Sequence, residues 1–308
     1  MSTAGAAGSG GMNMGAAAAC PAESGLKAAP KRVVTMDAAA AAFLIELGVG
    51  DRIVGTASPD FAKDFTGAMR TKLDAVAVLD AGRGNKEAVI AAKPDLVTGI
   101  SDYELGSFPG TPTHAELEQN GIAAQIACDT SKGESTNLDA TYRYVTALAS
   151  TFHVQAKGQA LVASLKARVV KATPAVASKK KPVPVLSLSA VPSGGSGVNT
   201  NGGSSLANAI ITLAGGSNIA SGTLSDFASL SAEQVTKADP KVIVAVSGFS
   251  AQSDEQLVAS IKASPLLAGT SAVHDDHIVV VPQRILLSPS LLNAQAVETI
   301  AAAVKSAR

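Results

Sequence analysis

The stretch that most constrains this chain is its middle, residues 142–177, YRYVTALASTFHVQAKGQALVASLKARVVKATPAVA. Its pattern predicts helix over most of its length, with one long helix over Gln155–Ala172. Leu161, Leu165, Val169 and Val170 recur at helical spacing, and Ala, Leu, Lys and Arg are good helix formers. Pro174 marks the end. On either side lies a strand–helix–strand pattern of similar length. A helix between two matched α/β halves is a spine: it holds two lobes at a nearly fixed angle and leaves a cleft between them. No Pro interrupts it, and its one glycine, Gly158, stands near its start, so it has no hinge for a large bend. Small closure is therefore expected, with residues 58–69 and 191–203 ordering around a ligand.

The first half reads as short apolar strands at 31–35, 51–56, 75–79, 96–100 and 122–127, separated by helices at 38–47, 85–92 and 113–120 and a loop at 58–69. Gly48 and Gly121 stand where helices stop. The second half repeats the grammar, with strands at 184–188, 242–246 and 278–281 and helices at 205–214, 231–238, 254–263 and 291–307. Residues 193–203 read as a polar, Gly-rich loop. Alternation of this kind signals parallel sheets covered on both faces.

Composition narrows the function classes. Lys plus Arg number 25 and Asp plus Glu 25, so no basic face for nucleic acid is expected. No stretch is long and apolar enough to span a bilayer. Residues 1–25 read as a disordered tail without the charged and apolar regions of a signal peptide. The basic triplet Lys179, Lys180, Lys181 reads as a solvated linker. The two cysteines, Cys20 and Cys128, leave two readings open: AAAAC resembles a lipoprotein cleavage site whose Cys carries lipid, and two Cys in an exported chain usually pair.

Three segments then carry a resemblance: RVVTMDAAAAAFLIELGVGDRIVGTA at 32–57, EAVIAAKPDLVTG at 87–99 and SAEQVTKADPKVIVAV at 231–246. Each resembles a motif of the ABC-transporter substrate-binding proteins for ferric siderophores, haem or cobalamin, and they fall in that family's order. The resemblance implies two Rossmann-like lobes with mainly parallel sheets joined by a single long rigid helix, the class III periplasmic-binding-protein fold. Its lobes would be 26–153 and 176–308, with 154–175 as the connector. It implies an extracytoplasmic, lipid-anchored monomer that binds an iron(III) complex, ferric siderophore before haem or cobalamin, without turnover. It also resembles an actinobacterial branch in which Cys20 and Cys128 would bridge. Within the family an acidic residue at each lobe's tip docks on the permease, and Glu87 and Glu233 occupy matching places at helix starts.

The ligand is expected between the lobes, at the carboxyl ends of the strands. The candidates there are Met36, Asp37, Ser58, Asp60, Phe61, Arg83, Ser101 and Tyr103 in the first lobe, and Asn199, Asn201, Phe249 and Arg284 in the second. Arg83 and Arg284 suit bidentate capture of carboxylates. Tyr103 suits stacking, hydrogen bonding or ligation of a haem iron. The absence of Trp argues against a large flat or catecholate ligand. HDDH at 274–277 reads as a surface turn, and His114 and His153 stand isolated, so no resident metal or cofactor is expected. Gly194-Gly195-Ser196-Gly197 has no Lys-Ser/Thr after it and is no phosphate loop. Two other readings are kept: a two-domain enzyme with its active site in the cleft, for which no nucleophile or base stands out, and a surface adhesion protein that has retained the fold.

Overall fold

The computed structural model describes residues 24–127, 133–173, 181–192 and 197–308. Cys20, Cys128, Lys179, Lys180 and the greater part of the N-terminal tail lie outside the described residues, and the disulfide and lipidation readings with them. The first lobe runs β1 (Val33–Thr35), α1 (Ala38–Glu46), β2 (Ile53–Ala57), α2 (Gly67–Asp74), β3 (Val78–Asp80), α3 (Lys86–Ala91), β4 (Leu96–Gly99), α4 (His114–Gln119) and β5 (Ala123–Ile126). Its sheet is wholly parallel, in the order β3-β2-β1-β4-β5. Two helices follow, α5 (Asp139–Thr151) and α6 (Gln155–Ala172).

The second lobe runs β6 (Val183–Leu188), β7 (Val198–Asn201), α7 (Leu206–Leu213), β8 (Gly216–Asn218), β9 (Phe227–Leu230), α8 (Ala232–Ala238), β10 (Val242–Ser247), α9 (Asp254–Lys262), α10 (Ser271–His274), β11 (Ile278–Pro282), α11 (Gln283–Leu286) and α12 (Asn293–Ser306). Its sheet has the order β11-β10-β6-β7-β9, with β8 on the free end of β6. β8, β10 and β11 are parallel to their neighbours, while β7 and β9 pair antiparallel. Both central strands, β6 and β10, are almost wholly buried, as continuous apolar runs in a covered sheet must be. Side-chain caps start the helices: Thr113 with Glu116, Ser231 with Gln234 and Ser253 with Gln256 each close a reciprocal capping box.

Several elements differ from the sequence expectation. The loop at 58–69 contains a 3-10 turn over Pro59–Asp64 and the start of α2. Only Leu73 of α2 is buried, so no apolar period announces it. The polar loop at 193–203 yields β7, whose Val198, Thr200 and Asn201 are buried while Asn199 is exposed. The long helix over Gln155–Ala172 is as expected; a second helix, Asp139–Thr151, precedes it, parted from it where His153 takes a left-handed φ of 56°.

The joint between the lobes is a three-helix seam. In α6, Leu165 packs into the first lobe's core and Val169, one turn on, into the second lobe's core. Val170, expected on the same stripe, faces solvent. Gly158 of α6 sits against α5, where an added Cβ would lie 2.3 Å from Ala149 Cβ. The start of α12 closes the seam. Asn293 is buried; its Oδ1 accepts from Thr141 Oγ1 of α5 at 2.7 Å and from Ser290 N at 2.9 Å. Its Nδ2 donates to the carbonyls of Ile285 at 2.7 Å and Ser288 at 3.1 Å, so every hydrogen-bonding site of the amide is used. Arg168 of α6 donates to Leu291 O at 2.9 Å. The second lobe is also reached before α6: Leu138 joins its core, and Ser135 bonds Gly203 and Asn208.

Gly158→Ala therefore sets a helix-propensity gain of about 1 kcal/mol against overpacking of about 1–3 kcal/mol. The expected net effect is a lower melting temperature, restored by adding Ala149→Gly. A stabilised Gly158→Ala protein would show that α5 and α6 separate freely.

Candidate functional site

The carboxyl ends of both sheets face one another, and the turns that follow the strands build the cleft between them. On one flank the turn after β2 meets the helix after β11. Arg284 of α11 clamps Asp64 bidentately, Nε to Oδ2 and Nη2 to Oδ1, the latter at 2.7 Å. The pair joins residues 220 positions apart and is largely shielded from water. The Arg284 guanidinium also lies 5.5 Å from the centre of the Phe61 ring. Arg284, expected as a clamp for the ligand, is thus committed to the opposite lobe. On the other flank stands Tyr103, 44% exposed, on the turn after β4. Its phenol is held above the ordinary tyrosine value, first by partial burial and then by the charges of Asp226, which precedes β9 in the second lobe, and Asp102.

The other first-lobe candidates divide into wall and foundation. Arg83 is exposed, with its guanidinium carbon over Phe108, 3.8 Å from the ring centre. It borders a recess of about 120 Å³ shared with Asp80, Asn85, Gly110 and Thr111. Ligand pockets run to about 300–1,000 Å³, so this is a side recess. Asp80 shapes it by accepting from Gly84 N at 2.8 Å and Asn85 N at 3.2 Å. Ser58 takes a left-handed φ of 43° and donates to Gly82 O at 2.9 Å, tying the turns after β2 and β3 together. Asp60 is exposed beside Lys63, whose hydrogen bond holds its carboxyl below the ordinary range. Ser101 caps the turn that carries Tyr103. Met36 and Asp37 are fully buried under these turns and present nothing to the cleft. An added Cβ at Gly84 would lie 2.5 Å from Met36 Cε, which shows how closely the turn sits on that side chain.

In the second lobe Phe249 is exposed at the end of β10, and Gln283 holds Gly248 O at 2.9 Å beside it. Asn199 is exposed on β7. Asn201 is buried: its Oδ1 accepts from Ser187 Oγ at 2.7 Å and Ser189 Oγ at 3.2 Å, and its carbonyl takes the Asn218 amide at 2.9 Å. It braces β6, β7 and β8 against one another. Sequence reasoning missed Asp64, Phe108, Asp226 and the exposed Leu224 and Phe227. Their partners lie far along the chain or on strands too polar to read as strands.

Glu87 and Glu233 occupy equivalent places. Each is the second residue of a short helix, α3 behind the Asn85 cap and α8 behind the Ser231 cap, and each is exposed. Neither enters an ion pair among the described residues.

A family model described as periplasmic binding protein matches residues 33–285, and the chain belongs to that family. Its fold is the class III form, two lobes on one connecting helix. A search of curated protein sequences finds no match. Among solved structures, an ABC-type Fe3+-hydroxamate transport system from Saccharomonospora viridis DSM 43017 is 24% identical, with 92% of this chain and 97% of that chain covered and a TM-score of 0.73. The periplasmic heme-binding protein RhuT from Roseiflexus sp. RS-1 is 22% identical, with 90% and 98% covered and a TM-score of 0.71. The periplasmic vitamin B12 binding protein BtuF of Vibrio cholerae is 19% identical, with 90% and 98% covered and a TM-score of 0.66.

The cross-cleft pair can be weighed by a double-mutant cycle of Asp64→Asn and Arg284→Gln in thermal or urea unfolding. Shielded from water, it should show coupling of about 1–3 kcal/mol, well above the 0–1 kcal/mol typical of surface pairs. Coupling near zero would mean that the lobes are held by the helical seam alone.

Proposed function

We propose that this chain is the extracytoplasmic substrate-binding component of an ABC importer, and that it captures an iron(III) complex between its lobes for delivery to a membrane permease. The observation that carries this is the cleft: two sheets opposed at their carboxyl ends, with Tyr103 on one wall and Phe249 on the other, both exposed and uncovered. The family match supports a binding role outside the cytoplasm. Relatives described as handling Fe3+-hydroxamate, haem and vitamin B12 support the ligand class. Binding without chemical turnover is part of the same reading, as is a monomeric state.

The electrostatics favour a neutral or cationic ferric siderophore, of the hydroxamate kind, over haem, cobalamin or a highly anionic catecholate. Arg284 is neutralised by Asp64, which leaves Arg83 as the exposed cation among the candidates, and Asp60, Asp80 and Asp226 stand nearby. Tyr103 is held neutral by burial and by acidic neighbours, which suits a stacking or donating phenol better than a phenolate bound to haem iron. Glu87 and Glu233 serve as the docking pair: exposed carboxylates at helix starts, one per lobe, steer a basic partner surface.

Calorimetry with ferrioxamine B, a ferric tricatecholate, haemin and cobalamin tests the reading. Saturable one-to-one binding of the hydroxamate complex, with weaker or no response to the others, is the expected result. No binding of any of the four defeats it. Reversing Glu87 and Glu233 to Arg should leave that affinity unchanged and abolish uptake in cells carrying the cognate permease.

A further inference from the structure

The turn that carries Tyr103 rests on two acids. Asp37 caps α1: its Oδ1 accepts from Ala39 N at 2.6 Å and Ala40 N at 2.8 Å. The residue is fully buried, and its other oxygen, Oδ2, meets no protein donor. Glu104 closes the 3-10 turn Asp102–Glu104 and bends back beneath it, its Oε2 accepting from Ser101 N at 3.3 Å. Its carboxyl fills the space a side chain at position 99 would take, for a Cβ built on Gly99 would lie 2.0 Å from Glu104 Oε2. Gly99 is thus the residue that admits this carboxyl to the end of β4. There Glu104 and Asp37 lie close enough for each carboxyl to act on the other.

Two carboxylates in contact make no hydrogen bond unless one carries a proton. Among the described residues no cation relieves the pair. From α1 and β1 come Asp37 itself and the apolar Met36; from β4 and its end, Thr98 and the Ile100 backbone amide; from α5, the Tyr144 phenol, bonded to Thr98 Oγ1 at 2.8 Å. His114 of α4 faces Asp102 on the outer side of the turn. The two amides on Asp37 Oδ1 and the α1 dipole favour charge on Asp37. The proton therefore belongs to Glu104.

We infer that Glu104 is a positioning residue for the cleft wall: its protonated carboxyl donates to Asp37 Oδ2, and this buried acid–carboxylate bond pins the turn that presents Tyr103. Burial, and then the charge of Asp37, hold Glu104 well above the ordinary glutamate range. A raised carboxyl supports the fold fully at and below its unfolded value, and that support is lost as pH rises through the folded value. Rising pH thus drives two negative charges together beneath the turn and releases Tyr103 from the wall. The effect on ligand affinity rests on the cleft reading above; the state of the turn does not.

The chain has no Trp, so Tyr103→Trp places one reporter on the turn without any ligand present. Its emission and acrylamide quenching are followed between about pH 5 and 10, a range above the ordinary Glu value near 4.3. With Glu104 in place, one step toward a more accessible indole is expected as pH rises. In the Glu104→Gln background, where the amide donates at every pH, the step should be absent. In the Asp37→Asn background the cap is kept and the like charge removed, so the midpoint should move down toward the ordinary value. Without the reporter, the melting temperature of the parent should fall relative to Glu104→Gln by roughly 2–4 °C for each pH unit through the transition. The same step in parent and Glu104→Gln, no step in either, or an unmoved midpoint in Asp37→Asn would each overturn the inference.

Discussion

Everything in the cleft depends on one buried amide. Asn293 ties the first turn of α12 to Thr141 of α5 and to the backbone of the segment before it, with no hydrogen-bonding capacity left over. Losing either partner leaves a buried polar group unsatisfied at a cost of about 1–3 kcal/mol. The contact thus has one good geometry and no near alternatives. Around it α5, α6 and α12 pack closely enough that Gly158 has no room for a methyl group. The angle between the lobes follows from this seam, and the distance between Tyr103 and Phe249 follows from that angle.

The Arg284–Asp64 pair adds a second tie across the same joint, from the residue next to Ile285, whose carbonyl Asn293 holds. The seam is short-range and apolar in the main, while the pair is charged and lies at the cleft's own edge. A ligand entering between the lobes meets walls already spaced, which spares it the ordering cost that a loose pair of domains would impose. It also meets an arginine already occupied. Under the proposed function, selectivity among iron complexes depends on how little free positive charge the cleft offers.

Much of the fold was legible in the sequence because its signals are local. Apolar runs such as Val242–Val246, the stop at Gly48 and the capping serines all act within a few residues. The antiparallel edge of the second sheet was not legible: β7 reads VNTN, and its strand character comes from pairing with β6 and β9. Of the candidate site residues, Arg83, Tyr103, Phe249 and Asn199 are exposed, while Met36, Asp37 and Asn201 are buried. A polar residue after a strand has the same appearance in sequence whether it faces a ligand or braces a turn. What separates the two is burial, and that is set by residues such as Glu104 and Ser187, far away along the chain. Arg284 shows the same limit, since nothing near it announces Asp64.

The path of the chain through the seam has a consequence of its own. Residues 135–138 already lie on the second lobe before α6 begins, and α12, the last helix, returns to pack on α6. Each lobe is therefore completed by chain that belongs, in order, to the other half. A cut near residue 154 would strip Leu138 from one core and Leu291 from the other. Neither fragment would keep a finished interior. The two lobes are separate in shape, but in folding they are one unit, which gains or loses its structure as a whole.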